Sequence, residues 1–576
     1  MQRTNLARRY APLAALAAVQ LLIILLVPSK AHTATALETT GSGSPTQQAG
    51  GTDAITPGGD VGGTDLGPGT ATTTGSGSSG TPGATGTGGS SGTGTGASTG
   101  SRTTGGGGGT GTATTAPAGG DTSHCVGGRQ FDPKIDPSAP ACTPKFTGNN
   151  GGATYKGVTA DKIKVVVYYG KGSDAVNTIL KAQNAYVSFD EEKDWLTTVQ
   201  TFMNAHYETY GRKFDIELFQ GTCETIPPDY GCLRNEVRQI ISSKNPYYIT
   251  WNTSVASPFF AEAAADKVPV AGGWHFSQKF QNTWKPFYYD VQIDGTTIAQ
   301  LAADYACKEL NGFKAKYAGD ATLQASVRKF GLISPDDTEN KAAGDLFKSL
   351  FASQCNGVVA AEYYYAQDIS TAGQQTAAYI AKMRQASVTT EICLTCDLVA
   401  PQIGQAAEDG QQYYPERFLT GSGYMDADAA GQSYQAKTWK NGFGFSQLGL
   451  QEDPSSNVAA RTWQASGRTG APFKSAAQSL EYLTMIAQLV QATGPNLTPT
   501  NMYNAAQKMA PIKGDFATLS FAGGRTTWHS DVSRVYWDPN KASTYNGKPG
   551  TSVNMDGRRY VPGQFPAGEL NKPLFP

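Results

Sequence analysis

Strand and helix patterns alternate through residues 159–540 and predict an α/β protein. Its expected form is two doubly wound parallel-sheet lobes behind a disordered N-terminal linker. Three stretches carry this. Ile163–Tyr169 (IKVVVYY) is a near-continuous apolar run, as expected of a parallel strand buried on both faces. Tyr247–Trp251 and Val268–Ala271 are short apolar runs with a helical segment between them, a strand–helix–strand unit. The same alternation then recurs more often than one sheet holds, so two lobes are the economical solution.

The chain begins with the layout of a secretory leader in residues 1–31. Arg3, Arg8 and Arg9 precede an apolar run, Leu13–Val27, and Ser29-Lys30-Ala31 gives a small-x-small cleavage pattern. Cleavage is the preferred reading and an uncleaved anchor the runner-up; either way the remainder is exported to the cell envelope or beyond. Residues 32–123 are almost wholly Gly, Thr, Ser, Ala and Pro. They have no apolar surface to offset ordering entropy and are expected to be a disordered tether. A flexible coil of that length spans about 50–60 Å root mean square.

The 46 Lys and Arg against 47 Asp and Glu give a net charge of −1, with no basic stripe to serve a nucleic-acid partner. All eight cysteines fall in the exported part, and an even count there favours disulfides. Their spacing suggests Cys125 with Cys142, Cys223 with Cys232, Cys307 with Cys355, and Cys393 with Cys396, although spacing leaves connectivity open. Cys393-Leu-Thr-Cys396 could also be a redox motif, but nothing around it is thioredoxin-like, so a structural bridge is preferred.

After a segment closed by cysteines (124–158) and the first strand comes a long insertion, about 174–212, with Trp195 and Phe202 in its helical part. Lys213–Phe219 alternates apolar and polar residues as a strand, and Leu233, Val237, Ile240 and Ile241 space as a helix face. Ser257-Pro258 is a good helix start, with Ser as the cap and Pro at the first position. Further strands are expected at Lys329–Ile333, Val358–Tyr363, Glu391–Thr395 and Arg417–Thr420. The intervening helices are expected at Thr296–Leu310, up to Phe351, at Thr376–Gln385 and at Pro401–Glu408.

Ligands bind doubly wound sheets outside the carboxyl ends of the strands. The loops Asn252-Thr253-Ser254 and Trp274-His275-Phe276-Ser277 therefore face one crevice. Tyr169, at the end of the first strand, is a further candidate.

The order of these pieces resembles the type 1 periplasmic binding proteins, the branched-chain amino acid binding group in particular. The resemblance covers about residues 159–540. It rests on IKVVVYYG, on FDIELFQG followed by a helix and YYITWNTS, and on KVPVAGG, RKFGLISPDD and RFLTGSGYMDAD. It continues in AAQSLEYLTMIAQLVQATG, in LTPTNMYNAAQKM as a last helix, and in LSFAGGRTTWHSDVSRVYWDP as a closing hairpin. It implies lobes joined by hinge crossovers, one from 159–290 plus 418–495 and the other from 291–417 plus 496–540, before an irregular tail (541–576). It implies a ligand held by the Asn252–Ser254 and Trp274–Ser277 loops, by Asp337 and Thr338, by Asp397, and by Tyr424 and Asp426. Asp426 falls near the family's ammonium-binding acid, though offset from it.

The function this implies is that of an exported solute-binding protein. It would capture a small polar or amphiphilic compound, amino-acid-like or a related acid or amide, and deliver it to an ABC permease. A monomer with no cofactor and no metal is expected. The alternative on the same fold is a cell-surface sensor or scaffold. A secreted hydrolase is disfavoured: the globular part has no G-x-S-x-G elbow, and there is no H-E-x-x-H and no metal-spaced cluster among five histidines.

Overall fold

A computed structural model of the protein describes residues 120–251, 256–400, 403, 412–433, 436–448 and 452–575. The expected leader, nearly all of the linker, the Asn252–Ser254 loop and most of the helix expected at 401–408 lie outside the described residues. No helix among the described residues is long and apolar enough to cross a membrane.

The first sheet contains β1 (Lys162–Lys171), β2 (Lys213–Glu224), β3 (Tyr248–Trp251), β4 (Val270–Gly272) and β5 (Tyr288–Tyr289). Its order is β2-β1-β3-β4-β5 and every pairing is parallel. Strand β1 explains its own central place. Ile163, Val165 and Val167 enter one core, against the helices Phe189–His206 and Ala476–Thr493. Val166 and Tyr168 enter the other, against Tyr230–Lys244 and Ser257–Ala265. A strand with apolar residues on both faces can only sit between two helical layers. The Ser257–Ala265 helix starts one residue earlier than expected: Ala256 is the cap, and Ser257 is already helical.

The second sheet contains β6 (Phe330–Pro335), β7 (Val359–Tyr365), β8 (Thr390–Cys393), β9 (Glu416–Thr420) and β10 (Gly442–Ser446). A small hairpin, β11 (Ile512–Lys513) with β12 (Thr518–Leu519), stands apart from both sheets. The sheet is completed by β13 (Val532–Ala542) and β14 (Pro549–Tyr560), in the order β14-β13-β10-β9-β8-β6-β7. The parallel part, β7-β6-β8-β9-β10, repeats the strand order of the first sheet, and β13 and β14 add an antiparallel edge.

Two expectations change here. Residues 418–495 do not belong together: β9 and β10 pair in the second sheet, whereas the helix Ala476–Thr493 packs on the first. The crossover falls after β10, because Phe418, Phe443 and Phe445 complete the second core. The stretch expected as an irregular tail (541–576) is irregular past 560 among the described residues, but not before. Gly550, Gly557 and their polar neighbours form β14, which pairs with β13 from Val532↔Tyr560 to Ala542↔Pro549. The closing hairpin is thus β13–β14, later than the stretch expected to form it.

The 174–212 insertion folds as two helices, Asp174–Ala182 and Phe189–His206. Ser188 and Glu191 close the second helix's start as a capping box, and Trp195 and Phe202 are fully buried in the first lobe's core. All eight cysteines pair as their spacing suggests: 125–142, 223–232, 307–355 and 393–396.

Candidate functional site

The carboxyl ends of both sheets face one cavity of about 460 Å³. Both sheets reverse their winding order beside their first strand, β1 or β6, and crevices form at such switch points. The first lobe contributes Tyr169, Tyr186, Glu192, Trp251 and Trp274 to the wall. The second contributes Asp397, Leu398, Tyr424 and Tyr545, and Ser475, Ala477, Gln478 and Ser479 add the start of a long helix. Aromatic faces with a few polar groups are the usual lining of small-molecule sites.

The backbone is shaped for this crevice at Gly272, which ends β4 at φ 121°. A Cβ there would lie 1.7 Å from the carbonyl oxygen of Trp251. Only glycine lets β4 lie against β3 at the point where both strands deliver their loops to the cleft.

The expected residues divide by role. Tyr169 lines the cavity and donates from its hydroxyl to the Val187 carbonyl at 2.7 Å. Trp274 lines it too, and its indole N–H donates to the Thr395 carbonyl of the other lobe at 2.8 Å. Tyr424 meets Gln183 across the cleft: the amide N–H donates to the phenol oxygen at 3.0 Å. Asp397 is on the wall, but its carboxylate is occupied by the Tyr365 hydroxyl at 2.9 Å, the Gln367 amide at 3.1 Å and the Val399 N–H at 2.9 Å. Burial pushes its pKa up.

The other described candidates do not line the cavity. His275 is buried behind it, with its ring nitrogens 2.7 Å from the Ile293 carbonyl and 2.8 Å from that of Ser422. It ties the first lobe's loop to the hinge and to the end of β9. Phe276 is a core residue packed on Phe260, Phe280 and Tyr288. Ser277 caps the helix Gln278–Trp284, and its backbone N–H donates to Glu339 of the second lobe at 2.8 Å. Asp337 caps the helix Thr338–Cys355, accepting the N–H groups of Glu339 and Asn340 at 3.0 Å each, and Thr338 opens that helix. Burial raises Asp337 to about 6. Asp426 accepts from the Gly423 N–H at 2.7 Å and the Ser446 hydroxyl at 2.5 Å, and burial raises it to about 6. It holds the loop after β9 against β10 and is covered by its own lobe.

Several groups were missed from sequence. Gln183, Tyr186 and Glu192 come from the insertion, and Tyr545 from the turn between β13 and β14. The hinge was missed as well. Gln447 accepts the Ile293 N–H at 3.1 Å, lies 3.0 Å from His529 Nδ1, and donates to the Gly421 carbonyl at 2.9 Å. One side chain thereby joins all three chain crossings, after β5, after β10 and before β13. The one cluster with metal-ligand spacing among the described residues is Cys223, Cys232 and Glu236. Its two sulfurs are bonded to each other and hold nothing else.

No protein-family model matches the chain, and no curated protein matches it. Solved structures do. A periplasmic binding protein from Burkholderia mallei is 11% identical, over 70% of this chain and 96% of that one, with a TM-score of 0.50. The branched-chain amino acid transporter substrate-binding protein LivJ from Streptococcus pneumoniae, in complex with isoleucine, is 12% identical over 69% and 100%, with a TM-score of 0.46. A solute-binding protein of an ABC transporter from Rhodopseudomonas palustris, in complex with p-hydroxybenzoic acid, is 14% identical over 70% and 98%, with a TM-score of 0.49. The fold is that of the type 1 periplasmic binding proteins.

Proposed function

We propose that this protein is an exported solute-binding protein that encloses one small molecule between its lobes and presents it to an ABC-type permease. The observation that carries the reading is the cavity of about 460 Å³ walled by both lobes. Such a site converts ligand contacts into closure, because a molecule touching both walls binds the closed arrangement better than the open one. The Trp274–Thr395 and Tyr424–Gln183 contacts support this, since they exist only while the lobes are together. The described Burkholderia structure is named as a periplasmic binding protein, which fits the same class. Export through the N-terminal leader, tethering by the linker and a monomeric state belong to the reading.

The test is mass spectrometry of whatever compound leaves the secreted, purified protein on denaturation, followed by melting-temperature shifts across a panel of small solutes. A stoichiometric compound that raises the melting temperature as mass action requires is the expected result. Trp274→Ala should weaken it by about tenfold or more, as loss of a buried aromatic anchor does. No retained compound and no shift across the panel would sink the reading.

A further inference from the structure

The cavity wall contains one carboxyl group whose surroundings are incomplete, and it comes from the insertion. Among the described residues four acids line the cavity: Glu192, Asp397, Glu452 and Asp515. Glu452 and Asp515 are paired with Arg461, at 3.4 and 3.0 Å. Asp397 has the three donors described above. Glu192 is 8% exposed, and among the described residues its carboxyl accepts one hydrogen bond, from the Ser479 hydroxyl to Oε1 at 3.1 Å. No salt bridge among the described residues includes it. A buried carboxyl in apolar surroundings is costly unless it is paired or neutral, and here burial raises its pKa to about 7. Its place in the first turn of the helix Phe189–His206 favours the ionised form.

The rest of the wall fits the same partner. Among the described lining residues the one cationic side chain is Lys474, which is exposed and rests near the Tyr545 ring. Gln292, also on the wall, has a side-chain oxygen with no donor among the described residues. The acceptors are thus in excess. Tyr169, Trp274 and Tyr424 add aromatic rings to the wall, and such rings attract a cation to their faces.

We infer that the cleft selects a protonated amine carried on a mostly apolar body, with Glu192 as the counter-charge of the ammonium. The inference rests on the proposed solute-binding reading and narrows it. It also moves the ammonium partner from Asp426, which is enclosed by its own lobe, to a residue of the insertion.

The experiment uses the full chain and a panel of matched triads. Each triad shares one apolar body and differs only in its end group: amine, alcohol or carboxylate. Bodies of phenethyl, indolylethyl, octyl and adamantyl type cover the range of shapes. Dissociation constants are measured by calorimetry for the wild type and for Glu192→Gln. The expected result is that amines bind at least about tenfold tighter than their matched alcohols, and that E192Q removes this preference. Alcohols or carboxylates bound as tightly as amines would overturn the inference while leaving a solute-binding protein. An amine preference retained in E192Q would overturn the assignment to Glu192. A panel in which nothing binds would overturn the inference, while the solute-binding reading stands or falls on the retained-compound test above. The wild-type comparison decides the amine preference even if the variant fails to fold.

Discussion

Asp426 was expected to meet the ligand and Glu192 had no expected role, and burial alone does not separate them. Both are almost fully enclosed with raised pKa values; the difference is in hydrogen bonding. Asp426 ties the Gly423 backbone to Ser446 on β10 and faces its own lobe. Asp426→Ala is therefore expected to cost about 1–3 kcal/mol of stability by stranding those donors. Denaturant unfolding checks it; an unchanged midpoint would contradict the structural role. The apolar stripe of its own helix makes Glu192 detectable in the sequence. Trp195, Val199 and Phe202 form the apolar face of its helix, and Glu192 falls on the same line at i−3 from Trp195. An acid in an apolar stripe needs a reason. His275 illustrates the reverse: its position at a strand end was legible, but its contacts with Ile293 and Ser422 depend on segments distant in sequence.

At the scale of elements, the disulfides and the strand-end glycine carry the clearest expectations. Cys307–Cys355 closes a separation of 48 residues and Cys393–Cys396 one of 3. Loop-closure entropy then makes the first bridge worth about 4 kcal/mol and the second about 2. Replacing each pair by alanines and comparing unfolding free energies should preserve that order; equal losses would remove the entropic explanation. Local pairing was readable because short separations leave few competitors. The place of β14 was not. Its Gly, Arg and Asn residues look like a tail until β13 supplies the backbone partners that make them a strand.

For the molecule as a whole, several buried carboxyls give a sign to the pH dependence of stability. Glu192 is raised to about 7, and Asp290, Asp337, Asp426 and Asp515 to about 6, in each case chiefly by burial. Each of these groups holds its proton more tightly folded than unfolded, so stability should rise as the pH falls from about 7 toward 4.5. His206 and His275, lowered by burial, oppose this below their ordinary range, but the raised carboxyls, Glu309 among them at about 7, outnumber them. Melting temperatures across that window, without added ligand, check the sign; a steady fall on acidification would contradict it.

What the sequence by itself determined was local: β1 as a strand buried on both faces, the strand–helix alternation, the pairing of near cysteines, and the loops that reach the strand ends. These follow from periodicity and short-range chemistry, which a single stretch of chain contains. The tertiary structure alone decided which lobe received β9, β10 and the long helix, and that β14 is a strand. It also decided that Asp337 and Asp426 serve the scaffold while Glu192 and Gln183 reach the cleft. Burial and hydrogen-bond satisfaction belong to pairs of residues, and at the hinge Gln447 meets partners 154 and 82 positions away. Only the packed chain brings such partners together.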